Sequence, residues 1–221
     1  LRVTEEHVER CLKENNLGEK TPETWNEGEM LGFASWLRKE TKPMVIIANK
    51  CDRKVGRDNV VKLKEKFKDY LIIPCSADSE LALREAAKHE VIEYIPGDKD
   101  FLMNDSKLND KQKEALEFIR RDVLNEFECT GVQKALNEAV FELLDYVHIY
   151  PGGMNKLEDK DGNVLPDCFL MKNGTTALEF AFRIHTDIGK GFIKAMDVKK
   201  RIPIGKEHVL LEGDVVEIMT K

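Results

Sequence analysis

Two short apolar runs, MVIIA at 44–48 and LIIP at 71–74, constrain the fold of this chain more than any other feature. Neither alternates between apolar and polar residues, as a strand with one wet face would. Continuous β-branched runs of this length suit strands buried on both faces, the habit of parallel sheets covered by helices. Between them, residues 58–68 carry Val60, Leu63 and Phe67 at helical spacing, and a second helical stretch, 79–94, follows. Strand, helix, strand, helix at these separations predicts an α/β layer fold. Upstream, 4–15 and 27–40 read as helices capped by Thr4 and Asn26, and Pro43 stops the second just before the first apolar run.

The stretch IPGDKDFLMND breaks this alternation. A charged helix is predicted over 108–127, with Leu116, Ile119, Val123 and Phe127 in stripe and Asn109 and Gln112 in capping-box spacing. We therefore expect a helical insertion at about 97–130. A solvated hairpin is its default reading, and a partner-binding insertion is the alternative. After Gly131, Val132, Leu136, Ala139, Val140, Leu143 and Leu144 form an amphipathic helix.

Beyond Asp145 the pattern changes. YVHIYP and CFLMKNG read as strands joined by NKLEDKDGNVLPD, with Asp161-Gly162 as its turn pair. Thr176 and Glu179 form a capping box for a helix over 176–186, and FIKAMDV and VVEIM close as strands, with Gly205 and Gly213 as turn points. We expect two domains: 1–145, a parallel α/β layer with its insertion, and 146–221, a small α+β domain.

Formal net charge is −6, which disfavours a globally basic nucleic-acid binder but not a local basic patch. The five cysteines are odd in number and none is in CxxC spacing, so we expect no zinc site and no disulfide framework. A reducing cytoplasm suits them better. No apolar run approaches the length of a membrane span and no signal peptide opens the chain, so no membrane partner is expected.

The chemistry sits where the first run ends, in Asn49-Lys50-Cys51-Asp52. In open α/β sheets ligands bind outside the carboxyl ends of the strands. A carboxylate at Asp52 can accept from guanine N1–H and from its 2-amino group. Adenine offers an acceptor at N1 and no 2-amino group, and a site built on such hydrogen bonds rejects a partner that leaves them unmade. Asn49 can brace the loop and approach the base, and Lys50 can lay its alkyl stem along the base face. The plain alternative is a strand end followed by a polar turn. Against it stands Cys75-Ser76-Ala77 at the end of the second run, where a backbone N–H can donate to guanine O6 and Ser76 can brace the turn.

NKCD followed by CSA resembles the fourth and fifth guanine-recognition motifs of P-loop GTPases. The stretches VERCLKENNLGEKTPETW and KPMVIIANKCD resemble archaeal GTP-binding proteins of the Obg-like group, near the YchF branch. GTTALEFAFRIHTDIGKGF and EGDVVEIMT resemble a TGS domain, the β-grasp module shared with threonyl-tRNA synthetases and stringent-response proteins. The resemblance covers nearly all of the chain. It implies a partial P-loop GTPase domain followed by TGS, with GTP or GDP held through Asn49, Lys50, Asp52, Ser76 and Ala77. YchF members often lack the NKxD aspartate and prefer ATP, whereas Asp52 is present here, which favours GTP.

No G-x-x-x-x-G-K-[ST] occurs in the sequence, and no D-x-x-G precedes the NKCD motif. Those motifs would carry the phosphate cradle, the Mg²⁺ ligand and the water-positioning element. We therefore expect the chain to be the carboxy-terminal portion of a GTPase, with no catalytic residue, and Mg²⁺ only in the longer parent. The small domain has no catalytic constellation either. The resemblance implies a ribosome- or RNA-facing module, with Lys199, Lys200 and Arg201 as candidate RNA contacts and a solvated turn as the plainer reading; no DNA partner is expected. A non-enzymatic TGS protein with a vestigial nucleotide fold is the alternative function. His185, near a helix end, reads as a packed or capping histidine.

Overall fold

The computed structural model describes residues 3–158 and 161–221. The chain divides between Ala139 and Val140 into two compact units.

In the first unit, α1 (Glu5–Glu14) and α2 (Glu27–Thr41) both open on capping boxes, Thr4 with His7 and Asn26 with Glu29. These reciprocal bonds satisfy helix N–H groups that have no intrahelical partner, which is why the helices begin there. The pair buries Cys11 and Leu17, sets the tilted rings of Trp25 and Phe33 4.9 Å apart, and ties Trp36 Nε1 to Glu14 at 2.7 Å.

The expected alternation follows. β1 (Val45–Asn49) runs parallel to β2 (Leu71–Cys75), in a register that ends Asn49 opposite Cys75. α3 (Lys54–Lys66) and α4 (Ala77–Lys88) follow them. β2 is buried as its sequence suggests, with Ile72 and Ile73 at 7% and 1% exposure. β1 is not: Ile47 is 51% exposed. Among the described residues β1 and β2 each have one strand partner, so what β1 lacks is cover over the face that carries Ile47.

α4 is shorter than the predicted 79–94. Glu90 takes a left-handed φ of 55°, and the chain then forms β3 (Ile92–Glu93), antiparallel to β4 (Leu102–Met103). The charged helix begins at Asn109 as expected, with its capping box to Gln112. It runs as α5 (Asp110–Ile119), loosens into a π-helical turn at Arg120–Leu124, and finishes as α6 (Asn125–Phe127) before Glu128 turns left-handed. Its apolar stripe is not a free face. Leu116, Ile119, Val123 and Leu124 pack with Leu83, Ile92 and Phe101 into the buried cluster of this unit. α7 (Val132–Asn137) starts from Gly131, whose φ of 86° suits glycine, and a Cβ there would collide with the Pro74 carbonyl. The insertion thus returns directly onto the strand that carries Cys75.

The second unit is a five-stranded sheet in the order β6-β5-β9-β7-β8. Its strands are β5 (Tyr146–Pro151), β6 (Phe169–Lys172), β7 (Phe192–Asp197), β8 (Ile202–Ile204) and β9 (Val215–Thr220). β5 and β9 are parallel and the other pairs antiparallel. α8 (Ala177–Ile184), opened by the Thr176–Glu179 capping box, packs Ala177 and Phe180 against Ile149, Ala195, Leu210 and Val216. Phe180 is fully buried and meets Phe169 edge-on at 5.7 Å. The predicted helix 176–186 breaks at His185, which is extended. Its Nδ1 accepts the Asp187 N–H at 3.2 Å, so it caps the short α9 (Thr186–Lys190). β8 went unread in the sequence because Pro203 sits at its centre; as an edge strand it tolerates the missing donor. The predicted Asp161-Gly162 turn is flanked by a bridge between Glu158 and Val164, while Asp159 and Lys160 lie outside the described residues.

Candidate nucleotide-base site

Asn49 and Cys75 end their strands side by side, so the two loops that follow leave the sheet together. The ladder continues one step further, with the Cys51 N–H donating to the Cys75 carbonyl at 3.0 Å. Lys50 takes a φ of 69°, a conformation non-glycine residues seldom adopt, and its carbonyl accepts the Arg53 N–H at 3.1 Å. That reversal is packed closely. A Cβ on Gly56, in the first turn of α3, would collide with the Lys50 carbonyl. Chain economy at this corner exposes Asn49 and Lys50 and leaves Asp52 half-buried.

The five residues expected to read a base do come together. Asn49 Oδ1 accepts the Lys50 N–H at 2.8 Å and the Ala77 N–H at 3.1 Å, which locks one loop to the other. Its Nδ2 has no protein acceptor among the described residues. Ser76 is fully buried, and its hydroxyl donates to Asp52 Oδ1 at 2.9 Å. Ser76 Oγ also lies 2.7 Å from Ser79 Oγ. Because the Ser76 hydroxyl has one proton and the carboxylate has none, the direction is fixed: Ser79 donates to Ser76, and Ser76 to Asp52. Among the described residues Asp52 Oδ2 meets only the Arg53 guanidinium, at 3.8 Å, beyond hydrogen-bond length, and so keeps its acceptor capacity.

One expectation changes. The Ser76 N–H donates to the Thr130 carbonyl at 2.8 Å, and the Ala77 N–H is held by Asn49. The amide in this turn that has no protein acceptor among the described residues is that of Asp78, in the first turn of α4. The first turn of a helix leaves such N–H groups without an intrahelical partner, and the sequence signal, a serine N-cap at 76, was present.

Beneath the loops lies a buried network that the sequence did not disclose. Glu80 is 4% exposed and accepts from Arg84 Nε at 2.6 Å, Tyr94 Oη at 2.8 Å and Thr130 Oγ1 at 2.6 Å. Burial raises its pKa, but the hydrogen bonds from Thr130, Arg84 and Tyr94 outweigh that and hold it below the usual glutamate value. Burial and the Glu80 carboxylate push Tyr94 up to about 12, so it remains a donor. Thr130 thus holds Glu80 with its side chain and Ser76 with its carbonyl. Cys51, Cys75 and Cys129 are free thiols buried around the same corner, and Cys11 is buried too; Cys168 is exposed. Burial, then Cys75 and Asp52, push Cys51 up to about 12, so it stays neutral beside the reading carboxylate. An open cleft of about 480 Å³ borders Asp52, Asp78 and Ser79 and is walled by Lys111, Glu114 and Phe118 of α5.

Residues 47–152 match the model for the G4 motif-containing domain of YGR210-like Obg-like GTPases, and residues 158–220 match that of the TGS domain. The chain pairs a YGR210-like G4 domain of the Obg-like GTPases with a TGS domain. A GTP-binding protein of Methanocaldococcus jannaschii is 39% identical over 221 residues, which is all of this chain and 55% of that protein. One of Schizosaccharomyces pombe is 31% identical over 144 residues, 61% of this chain and 35% of the relative. The crystal structure of a GTP-binding protein from Pyrococcus horikoshii superposes with a TM-score of 0.70 at 39% identity, covering 99% of this chain and 57% of that one. The chain therefore spans about half the length of the first of these relatives and of the solved structure.

In the TGS domain the candidate contacts Lys199, Lys200 and Arg201 form the turn between β7 and β8. Lys200 is tied back, its Nζ 2.9 Å from Asp197 Oδ2 and its N–H on Asp197 Oδ1, and Arg201 holds the turn with a φ of 58°. Among the described residues, no helix is long and apolar enough to cross a membrane.

Proposed function

We propose that these residues are the base-reading portion of a guanine-nucleotide-binding protein. The observation that carries this is the directed chain Ser79 to Ser76 to Asp52, which holds a carboxylate at paired strand ends with one oxygen that accepts no hydrogen bond among the described residues. Asp52 accepts from guanine N1–H and the 2-amino group. The Asn49 Nδ2 donates to a ring acceptor, Lys50 covers a base face, and O6 lies opposite the amide of Asp78, beside the Ala77 amide that Asn49 holds. The groups present suit guanine: they are acceptors where guanine has donors, and donors where it has acceptors. The parent protein binds GTP or GDP and acts as a hydrolytic switch in the cytoplasm, with Mg²⁺ and the phosphate contacts supplied by residues beyond these 221. The exposed Ile47 and the open edge of β1 support a sheet that continues with further strands. The TGS domain is its ribosome- or RNA-facing module, and the Lys199–Arg201 turn is the basic feature that suits such a surface.

Phosphate contacts and positioned charge supply the catalysis of phosphoryl transfer. The purified 221 residues should therefore release no phosphate from GTP above the buffer rate, with Mg²⁺ present. Steady turnover that disappears in Asp52→Ala would contradict this division of labour.

A further inference from the structure

Arg57 lies in the first turns of α3, directly under the reading loop. Its Nε donates to the Cys51 carbonyl at 3.1 Å and its Nη2 to the Asp52 carbonyl at 3.2 Å. The same Nη2 reaches Asp122 Oδ1 at 3.2 Å, across 65 residues of sequence. Asp122 belongs to the π-helical turn, and its other oxygen is held by Arg121 Nε at 2.8 Å. One planar guanidinium thus grips two consecutive carbonyls of the NKCD loop and is itself fixed by the insertion.

We propose that Arg57 and Asp122 are positioning residues for base recognition, orienting Asp52 through its main chain. The proposal rests on reading Asp52 as the guanine acceptor. Three features support it. The guanidinium fork suits simultaneous donation to two carbonyls and a carboxylate, which a lysine ammonium on a flexible stem reproduces poorly. The pair is partly exposed, at 30% and 22%, and such ion pairs add little to stability, so fixing geometry is the larger effect open to it. Finally, Asp52 sits just past Lys50, whose left-handed backbone needs support from its surroundings. The Arg121 hydrogen bond leads in holding the Asp122 carboxyl below its usual value, so the pair is charged at neutral pH.

The test compares GDP with IDP, whose hypoxanthine base lacks the 2-amino group that Asp52 would take. Both are titrated at millimolar concentration into the ¹⁵N-labelled chain and followed by the amide shifts of Lys50, Cys51, Asp52 and Ala77. The GDP-to-IDP affinity ratio should fall roughly fivefold in Asp122→Ala and in Arg57→Lys, about the worth of one net hydrogen bond. Asp122→Glu keeps the carboxylate and should restore most of the ratio. Thermal unfolding of Asp122→Ala should stay close to wild type, and Arg57→Lys decides the matter if it does not. A ratio unchanged in both variants overturns the clamp. Asp52→Ala, run alongside, separates the two ideas. If it collapses the ratio while the clamp variants do not, the clamp alone fails; if it too leaves the ratio unchanged, the base-reading assignment falls and takes the clamp with it.

Discussion

Asp52→Asn is expected to turn the site from guanine toward xanthine nucleotides. Guanine presents two donors, N1–H and the 2-amino group, to the Asp52 carboxylate. Xanthine keeps N1–H but carries a carbonyl at C2. An asparagine accepts from the first through Oδ1 and donates to the second through Nδ2, while the wild-type carboxylate faces a lone pair. Ser76 can still donate to Oδ1, at the place where it now meets Asp52 at 2.9 Å, so the loop loses no internal partner. A charge-assisted hydrogen bond contributes about 1.5–3 kcal/mol. Losing one with GDP and gaining a neutral bond with XDP, about 0.5–1.5 kcal/mol, should swing the affinity ratio by roughly a hundredfold, or about 2.7 kcal/mol. Competition binding of the two diphosphates to wild type and variant measures that swing. A variant that weakens both nucleotides equally would mean that Asp52 only supports the loop.

Glu80→Ala should cause the largest loss of stability among single changes near the site. It strands the hydroxyl of Thr130, which is fully buried, and that of Tyr94, and it leaves a cavity at a position 4% exposed. Each stranded buried group costs about 1–3 kcal/mol, so a loss of about 3 kcal/mol in the first unit is expected. Arg84 adds less, since its side chain is half in water. The sign of the pH dependence follows from the depressed pKa of Glu80. Its contribution is full above the unfolded glutamate pKa of about 4.3 and is lost as pH falls through the lower folded value. Denaturant melts at pH 7 and near pH 3 should therefore find the gap between wild type and Glu80→Ala narrower in acid. A gap that stays constant would mean that the carboxylate charge contributes nothing.

Local chemistry in the sequence was enough to place Asn49, Asp52 and Ser76 at adjacent strand ends, because each motif carries its own turn and follows its own apolar run. The cap at Asn26 and the capping boxes at Asn109 and Thr176 were legible for the same reason: their partners stand within three residues. What escaped was set by distance in sequence. Nothing near Glu80 announces Thr130, 50 residues on, and nothing near Arg57 announces Asp122. The charged segment read as a solvated hairpin because its polar residues are the visible ones. Its apolar stripe instead closes the core against Leu83, and its carboxy-terminal part reaches both reading loops, through Asp122 and Thr130. Which N–H of the Cys75-Ser76-Ala77 turn is free to donate is not legible either, because the claim of Asn49 on the Ala77 amide exists only once β1 and β2 pair. Ile47 is exposed against expectation because the composition of a strand does not reveal what covers each of its faces.

The central claim, that these loops read guanine, is tested most directly by titrating the ¹⁵N-labelled wild-type chain with GDP and with ADP. If the account is right, GDP shifts the amides of Lys50, Cys51, Asp52, Ala77 and Asp78 in a saturable way, and ADP at the same concentrations leaves them in place. Equal shifts with both nucleotides, or GDP shifts confined to residues away from these two loops, would contradict it.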